Sequence, residues 1–188
     1  MTWLLTGVLL WSGLHFIPSL AQGFRDSLRD RIGANAYQIA FSIGVAASIA
    51  LMVTGWRSAD QWTIYDPAEW GRPIGFVLIL IAFLLFVFAR ARTNVKRVIR
   101  HPQLTGLIAW AAGHLLVNGD NLSLVLFGGL GLWALTEILL ISRREGVWRK
   151  PDPVPLTAEI RPVLIALAVF SVFLFAHPYL FGVSPFPR

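Results

Sequence analysis

Six apolar segments, separated by short charged connections, constrain this chain more than any other feature of its sequence. They cover residues 2–22, 36–56, 73–89, 102–118, 122–142 and 162–180. A helix that crosses the hydrocarbon core of a bilayer uses about 20 residues, so six crossings consume roughly 120. Of the 188 residues, 56% are hydrophobic and only 14% charged, with a mean hydropathy of +0.65. One soluble core of this size cannot enclose that much apolar surface, so the excess must face lipid. The sequence predicts an all-α, polytopic membrane helix bundle of about six transmembrane helices, a single domain over residues 1–188. The third and fourth segments are short for a crossing and are expected to stand nearly upright.

The charges set an expected orientation. Of the 16 basic residues, 13 fall in three connections: Arg25, Arg29 and Arg31; Arg90, Arg92, Lys96, Arg97 and Arg100; Arg143, Arg144, Arg149, Lys150 and Arg161. The other two connections carry Arg57, Asp60, Asp66, Glu69, Arg72 and Asp120, a net negative set. The positive-inside rule makes the odd connections cytoplasmic and puts both termini on the outer or periplasmic side of the membrane. The pI near 10.8 therefore reports orientation and contact with anionic lipid, and no nucleic-acid site is expected. Ser19-Leu20-Ala21 resembles a signal-peptide cleavage site. No basic residue precedes that apolar run, however, and His15 and Pro18 interrupt its end, so it is expected to stay as a span.

Packing signals are present as well. Ala36, Ala40, Gly44 and Ser48 recur every four residues in the second segment, a small-residue stripe that lets another helix approach, and Gly128, Gly129 and Gly131 offer the same in the fifth. Asn118, Gly119 and Asp120 join the fourth and fifth segments tightly enough for an antiparallel hairpin. Residues 56–72, with Trp56, Trp62, Tyr65 and Trp70, form the largest connection on the acidic side and suit a cap over the bundle. Pro151, Pro153 and Pro155 make a stiff, extended crossing.

Ionisable groups at membrane depth are costly and mark functional sites or buried partners. Here they are His15, His114, His177 and Glu137, with His101 at an edge. The chain has no cysteine, which excludes disulfides, thiolate ligands and thiol nucleophiles. Histidines without other strong ligands point to a His-ligated metal or haem, or to proton handling. At about 1.5 Å per residue, His15 lies roughly 10 Å from the basic side, His114 roughly 18 Å, Glu137 roughly 9 Å and His177 roughly 24 Å. His15 and His177 are offset from His114 by roughly 8 and 6 Å, and depth does not choose between them as its partner. Trp11 and Trp110 each precede a histidine by four residues and so share its face, where they either wall a macrocycle or pack as core. Asn118 is either a hydrogen-bonding neighbour of His114 or a helix cap. Glu137 either pairs with Arg144, seven residues on, or serves as an acid or base near His15.

Two blocks carry a resemblance. Arg100-His101-Pro102-Gln103-Leu104-Thr105-Gly106 followed by Gly113-His114-Leu115-Leu116-Val117-Asn118-Gly119-Asp120 resembles the NnrU family of bacterial membrane proteins. So do Leu14-His15-Phe16-Ile17-Pro18-Ser19 and Phe175-Ala176-His177-Pro178-Tyr179-Leu180-Phe181-Gly182. The family is named from a denitrification locus and is similar to the 15-cis-zeta-carotene isomerases, integral membrane haem b enzymes. The resemblance implies haem b with His15 and His114 as axial ligands, and a cis-trans isomerase of an apolar polyene. The other function it implies is a non-catalytic haem or accessory protein supporting nitrite and nitric oxide metabolism, with an unidentified redox partner. The Pro-rich crossing replaces a longer charged stretch of the isomerases. A more distant similarity, to isoprenylcysteine-type methyltransferases, stops at Arg100-His101-Pro102, because the paired acids of those enzymes are missing from residues 142–148.

Overall fold

The computed structural model describes residues 1–186 and is all-α. Its helices are α1 (Thr2–Leu20), α2 (Gln22–Ile32), α3 (Ala34–Ser58), α4 (Gly71–Phe88), α5 (Pro102–Leu115), α6 (Asn121–Glu145) and α7 (Thr157–Phe181). In lipid a backbone must satisfy its own amides and carbonyls, which is why apolar segments of this length become helices. Five of the seven, α1, α3, α4, α6 and α7, are long and apolar enough to cross a membrane.

The fourth apolar segment differs from its expected span. It forms α5, which stops at Leu115 after 14 residues, about 21 Å against a hydrocarbon core of about 30 Å. Residues 116–120 turn instead of continuing the helix. Even so, α5 lies antiparallel along most of α4, with Gly71 beside Leu116, Gly75 beside Gly113 and Ala82 beside Gly106. It is a short traverse buried against a longer one.

The helices pack in the order α3, α1, α6, α5, α4, α7. α1 and α3 are antiparallel through glycine contacts: a Cβ on Gly7 would stand 2.7 Å from the Met52 amide nitrogen, and Gly55 faces the Leu4 backbone. The small-residue stripe of α3 is used only in part. Ser48 is buried and Gly44 meets Leu14, whereas Ala36 and Ala40 are exposed; the contact continues through Met52 and Gly55. α6 runs parallel to α1, with Gly129 against Val8, and antiparallel to α5, with Gly131 against Ala111. Leu4, Val8, Met52, Leu122 and Leu130 form a core where these helices meet. Large apolar side chains remain exposed on every span, as lipid-facing surface requires.

The three basic connections gather at one end of the bundle. The first is itself a helix, α2, with no buried residue, set off from α3 by Gly33 at φ +86°, a conformation that favours glycine. The others are tied together: Thr93 Oγ1 and the Asn94 amide donate to the two Glu159 oxygens, each at 2.6 Å, and the Asn94 side chain brackets Val154 at 2.7 and 3.0 Å. Arg97 reaches the Pro151 carbonyl at 2.8 Å. At the opposite end, residues 59–70 lie as the expected cap over the α5–α6 turn. The Ile64 and Tyr65 amides donate to the Gly119 carbonyl at 2.7 and 3.0 Å, and Asn121 bonds both the Trp62 amide and the Asp60 carbonyl.

Candidate functional site

The four histidines fall into two kinds. In His15, His114 and His177 the Nδ1 atom faces a main-chain carbonyl, of Trp11 at 2.8 Å, Trp110 at 2.8 Å and Val183 at 2.7 Å. A carbonyl only accepts, so Nδ1 carries the proton and Nε2 keeps its lone pair. Among the described residues no hydrogen bond occupies Nε2 of these three rings. His101 is the reverse case, with Nε2 held by the Ser142 hydroxyl at 2.9 Å. It stands at the N-cap of α5 with Pro102 at the first position, but its ring does not cap the helix. Burial holds its pKa below the ordinary histidine value, against the pull of Glu145 and with the help of Arg100.

Each inner histidine sits in an aromatic cage. Trp11 stacks on His15 with centroids 4.4 Å apart and planes at 28°; Trp133 and Phe41 meet its edge at 5.1 and 5.3 Å. Phe127 stacks on His114 at 4.4 Å and 19°, with Trp110 tilted at 4.8 Å. The helical i, i+4 relation makes each tryptophan both a ring neighbour of its histidine and the source of the carbonyl that fixes it, stacked for Trp11 and tilted for Trp110. The remaining walls come from α3 and α6. His15 stands at the level of Trp133 on α6 and His114 at the level of Phe127, about 9 Å apart along that helix. The cages are therefore separate, but they adjoin, since Trp11 and Trp110 both pack against the same core cluster. His177 packs tilted against Phe181 near the end of α7, with centroids 4.8 Å apart and planes at 55°, and lies within electrostatic range of His114.

Of the two further neighbours, Asn118 takes its second expected place, at the end of α5, and Glu137 takes a partner from α1. Asn118 donates to the main-chain carbonyl of His114 at 2.9 Å and leaves the ring alone. Glu137 does not pair with Arg144 among the described residues. It is 2% exposed, and its Oε2 accepts from the Ser19 hydroxyl at 2.5 Å, one helical turn from His15, while Oε1 is enclosed without a partner. Arg144 donates to the Pro18 carbonyl at 2.9 Å, closing the end of α1. Trp11 Nε1 and Trp133 Nε1 are also enclosed and unpartnered. These orphaned atoms cluster around His15, where Trp11 and Trp133 are in edge contact at 5.7 Å.

Sequence reasoning pointed to Trp11 and Trp110 but not to Phe41, Phe127, Trp133 or Ser19. No spacing links Phe41, Phe127 or Trp133 to a histidine, because they arrive from other helices; Ser19 stands four residues after His15 on α1, but its partner Glu137 comes from α6. Phe127 also lies in a π-helical segment, Leu124–Gly128, for which the sequence gives no sign. Such segments occur often at functional sites.

No curated protein and no solved structure matches the chain. The protein family described as NnrU protein matches residues 3–185, which takes in all seven helices and every histidine discussed above. A match over nearly the whole chain, on a bundle with five helices able to cross a membrane, establishes that this multi-pass membrane protein belongs to the NnrU family.

Proposed function

We propose that the protein is a membrane-embedded haem b protein in which His15 and His114 would hold the haem, and that it acts as a cis-trans isomerase on an apolar polyene. The observation that carries this reading is the state of the two inner imidazoles. Each has Nδ1–H fixed to a carbonyl and Nε2 unoccupied, the arrangement that orients a metal-ligating histidine and raises its basicity. The donor set suits the group: two neutral imidazoles between aromatic rings, in adjoining cages within an apolar bundle. Haem, held by His15 and His114, would supply a redox-active iron. The chain's own residues bind and orient. Trp11 and Trp110 hold the imidazole planes, Phe41, Phe127 and Trp133 exclude water, and Glu137 keeps one carboxylate oxygen free a turn away from His15.

The test is an absorption spectrum of detergent-purified protein, oxidised and reduced. A haem band is expected in the wild type, lost in His15→Ala and in His114→Ala and kept in His101→Ala, whose Nε2 is already engaged. Protein that carries no haem when haem is supplied, or alanine variants of unchanged colour, would end this reading. Carbon monoxide binding to the reduced protein separates an openable site, as an isomerase needs, from a closed electron carrier supporting nitrogen-oxide metabolism. His177 has the same free Nε2 and lies within range of His114. Bleaching by His177→Ala instead of His15→Ala would assign the pair to His114 and His177.

A further inference from the structure

A cleft of about 380 Å³ opens at the basic end, where α1 ends, α2 and α3 begin and α6 finishes. Pro18, Gln22, Arg25, Tyr37, Phe41 and Arg144 line it. Its polar lining is rich in donors. The Tyr37 hydroxyl is enclosed and has no partner among the described residues. Arg25 is paired only with its own neighbour Asp26, at 3.7 Å. Arg144 spends one nitrogen on the Pro18 carbonyl and stands 3.6 Å from Glu145. A guanidinium carries five N–H donors, so both arginines keep donors to spare. α2 starts at Gln22 with no side-chain cap, which leaves its first-turn amides open beside the cleft. The nearby carboxylate of Glu137 is enclosed, tied to Ser19 and not part of the lining.

Donors from three helices, two of them cationic, with no carboxylate in the lining call for an acceptor-rich, negatively charged guest. The cleft adds an apolar wall from Pro18 and Phe41, and the neighbouring face of α3 exposes Ile39 and Ile43 as lipid-facing surface. The guest therefore has an anionic head and an apolar body. We infer that the cleft holds the phosphate of an anionic phospholipid, with Arg25 and Arg144 on the phosphate oxygens, Tyr37 donating to an ester oxygen and the acyl chains along α3. A guanidinium–phosphate contact is a charge-assisted hydrogen bond, stronger than a neutral one. Phe41 is a wall shared with the His15 cage, but neither arginine nor Tyr37 belongs to the imidazole cages, so this inference is tested apart from the haem proposal.

The test is native mass spectrometry of the purified full-length protein after exposure to mixed vesicles of phosphatidylglycerol and phosphatidylcholine. The wild type is expected to retain phosphatidylglycerol selectively. Arg25→Gln, which leaves the Arg144 contact to α1 in place, should weaken retention roughly tenfold. Tyr37→Phe should weaken it several-fold at unchanged helicity, and Arg57→Gln, at the far end of α3, should leave it unchanged. Equal retention of the two lipids by the wild type, retention indifferent to Arg25→Gln and Tyr37→Phe, or an equal loss in Arg57→Gln would each overturn the assignment. Inorganic phosphate is the second arm. If it alone displaces the lipid, or raises the melting temperature of delipidated protein as much as phosphatidylglycerol does, the ligand is a free anion and the lipid assignment falls.

Discussion

Asp120 shows how one side chain fixes a turn. Its Oδ1 accepts from the amides of Leu122 and Ser123 at 3.0 and 2.9 Å, and its Oδ2 accepts from the Ser123 hydroxyl at 2.7 Å, so it caps the start of α6. Burial works to raise its pKa, but the hydrogen bonds from Ser123, Gln61 and Leu122 outweigh it and hold the carboxyl below its ordinary 3.8. A depressed carboxyl contributes stability that is present above the unfolded pKa and lost as pH falls through the folded one. The melting temperature in detergent should therefore drop as pH falls below about 4. Asp120→Asn, which can still cap, should flatten that dependence. Asp120→Ala should cost about 1 kcal/mol at neutral pH, and an unchanged melting temperature in this variant would refute the capping role. In the sequence Asp120 was legible only as part of a tight turn between two apolar runs; its capping bonds came from the structure. The histidines were legible only as a list: polarity at depth named them, but which nitrogen is free depends on a carbonyl that the helix geometry brings beneath each ring.

At the scale of elements, glycines decide which helices touch. Gly55 faces the Leu4 backbone so closely that any Cβ would overlap it, while Gly13, on α1, has open space on all sides. Gly55→Ala should force α1 and α3 apart and destabilise by about 1–3 kcal/mol. Gly13→Ala should be neutral or stabilise by up to about 1 kcal/mol. Thermal unfolding of the pair checks both, and equal effects would refute the close packing. The clasp between the second and third basic connections makes a separate prediction. Glu159→Ala strands the Thr93 hydroxyl and the Asn94 amide, and should speed tryptic cleavage after Lys96, Arg97 and Arg149. Cleavage at the wild-type rate would show that the clasp does not hold these segments. The sequence marked small residues in α3 but not where the contact begins and ends, because a period of four drifts around a helix of 3.6 residues per turn and Ala36 and Ala40 come out facing away.

Over the whole molecule, the separation of a basic end from a neutral-to-acidic end is a statement about topology. The chain lacks cysteine, so single cysteines report sidedness without a background. Ser27→Cys and Val147→Cys should be labelled by an impermeant maleimide from one side of the membrane, and Ala68→Cys from the other, with both termini on the same side as Ala68. Labelling of Val147→Cys and Ala68→Cys from one side would mean that one of α4, α5 and α6 does not cross, and would refute the arrangement. The short traverse of α5 beside α4 is the element on which this count turns, since five crossings would place the termini on opposite sides.

The sequence by itself determined the membrane class, the helices, the segregation of charge and the few ionisable residues at depth. These follow from composition and local periodicity, because lipid forces every apolar segment to close its own backbone hydrogen bonds. Only the tertiary structure decided that α5 stops short of a full crossing, that Phe41, Phe127 and Trp133 enclose the histidines, that Glu137 meets Ser19 instead of Arg144, and that Arg25, Tyr37 and Arg144 share one cleft. Each of these depends on which face of one helix meets which face of another. That choice is made by small residues far apart in the chain, and it leaves no local mark on the sequence.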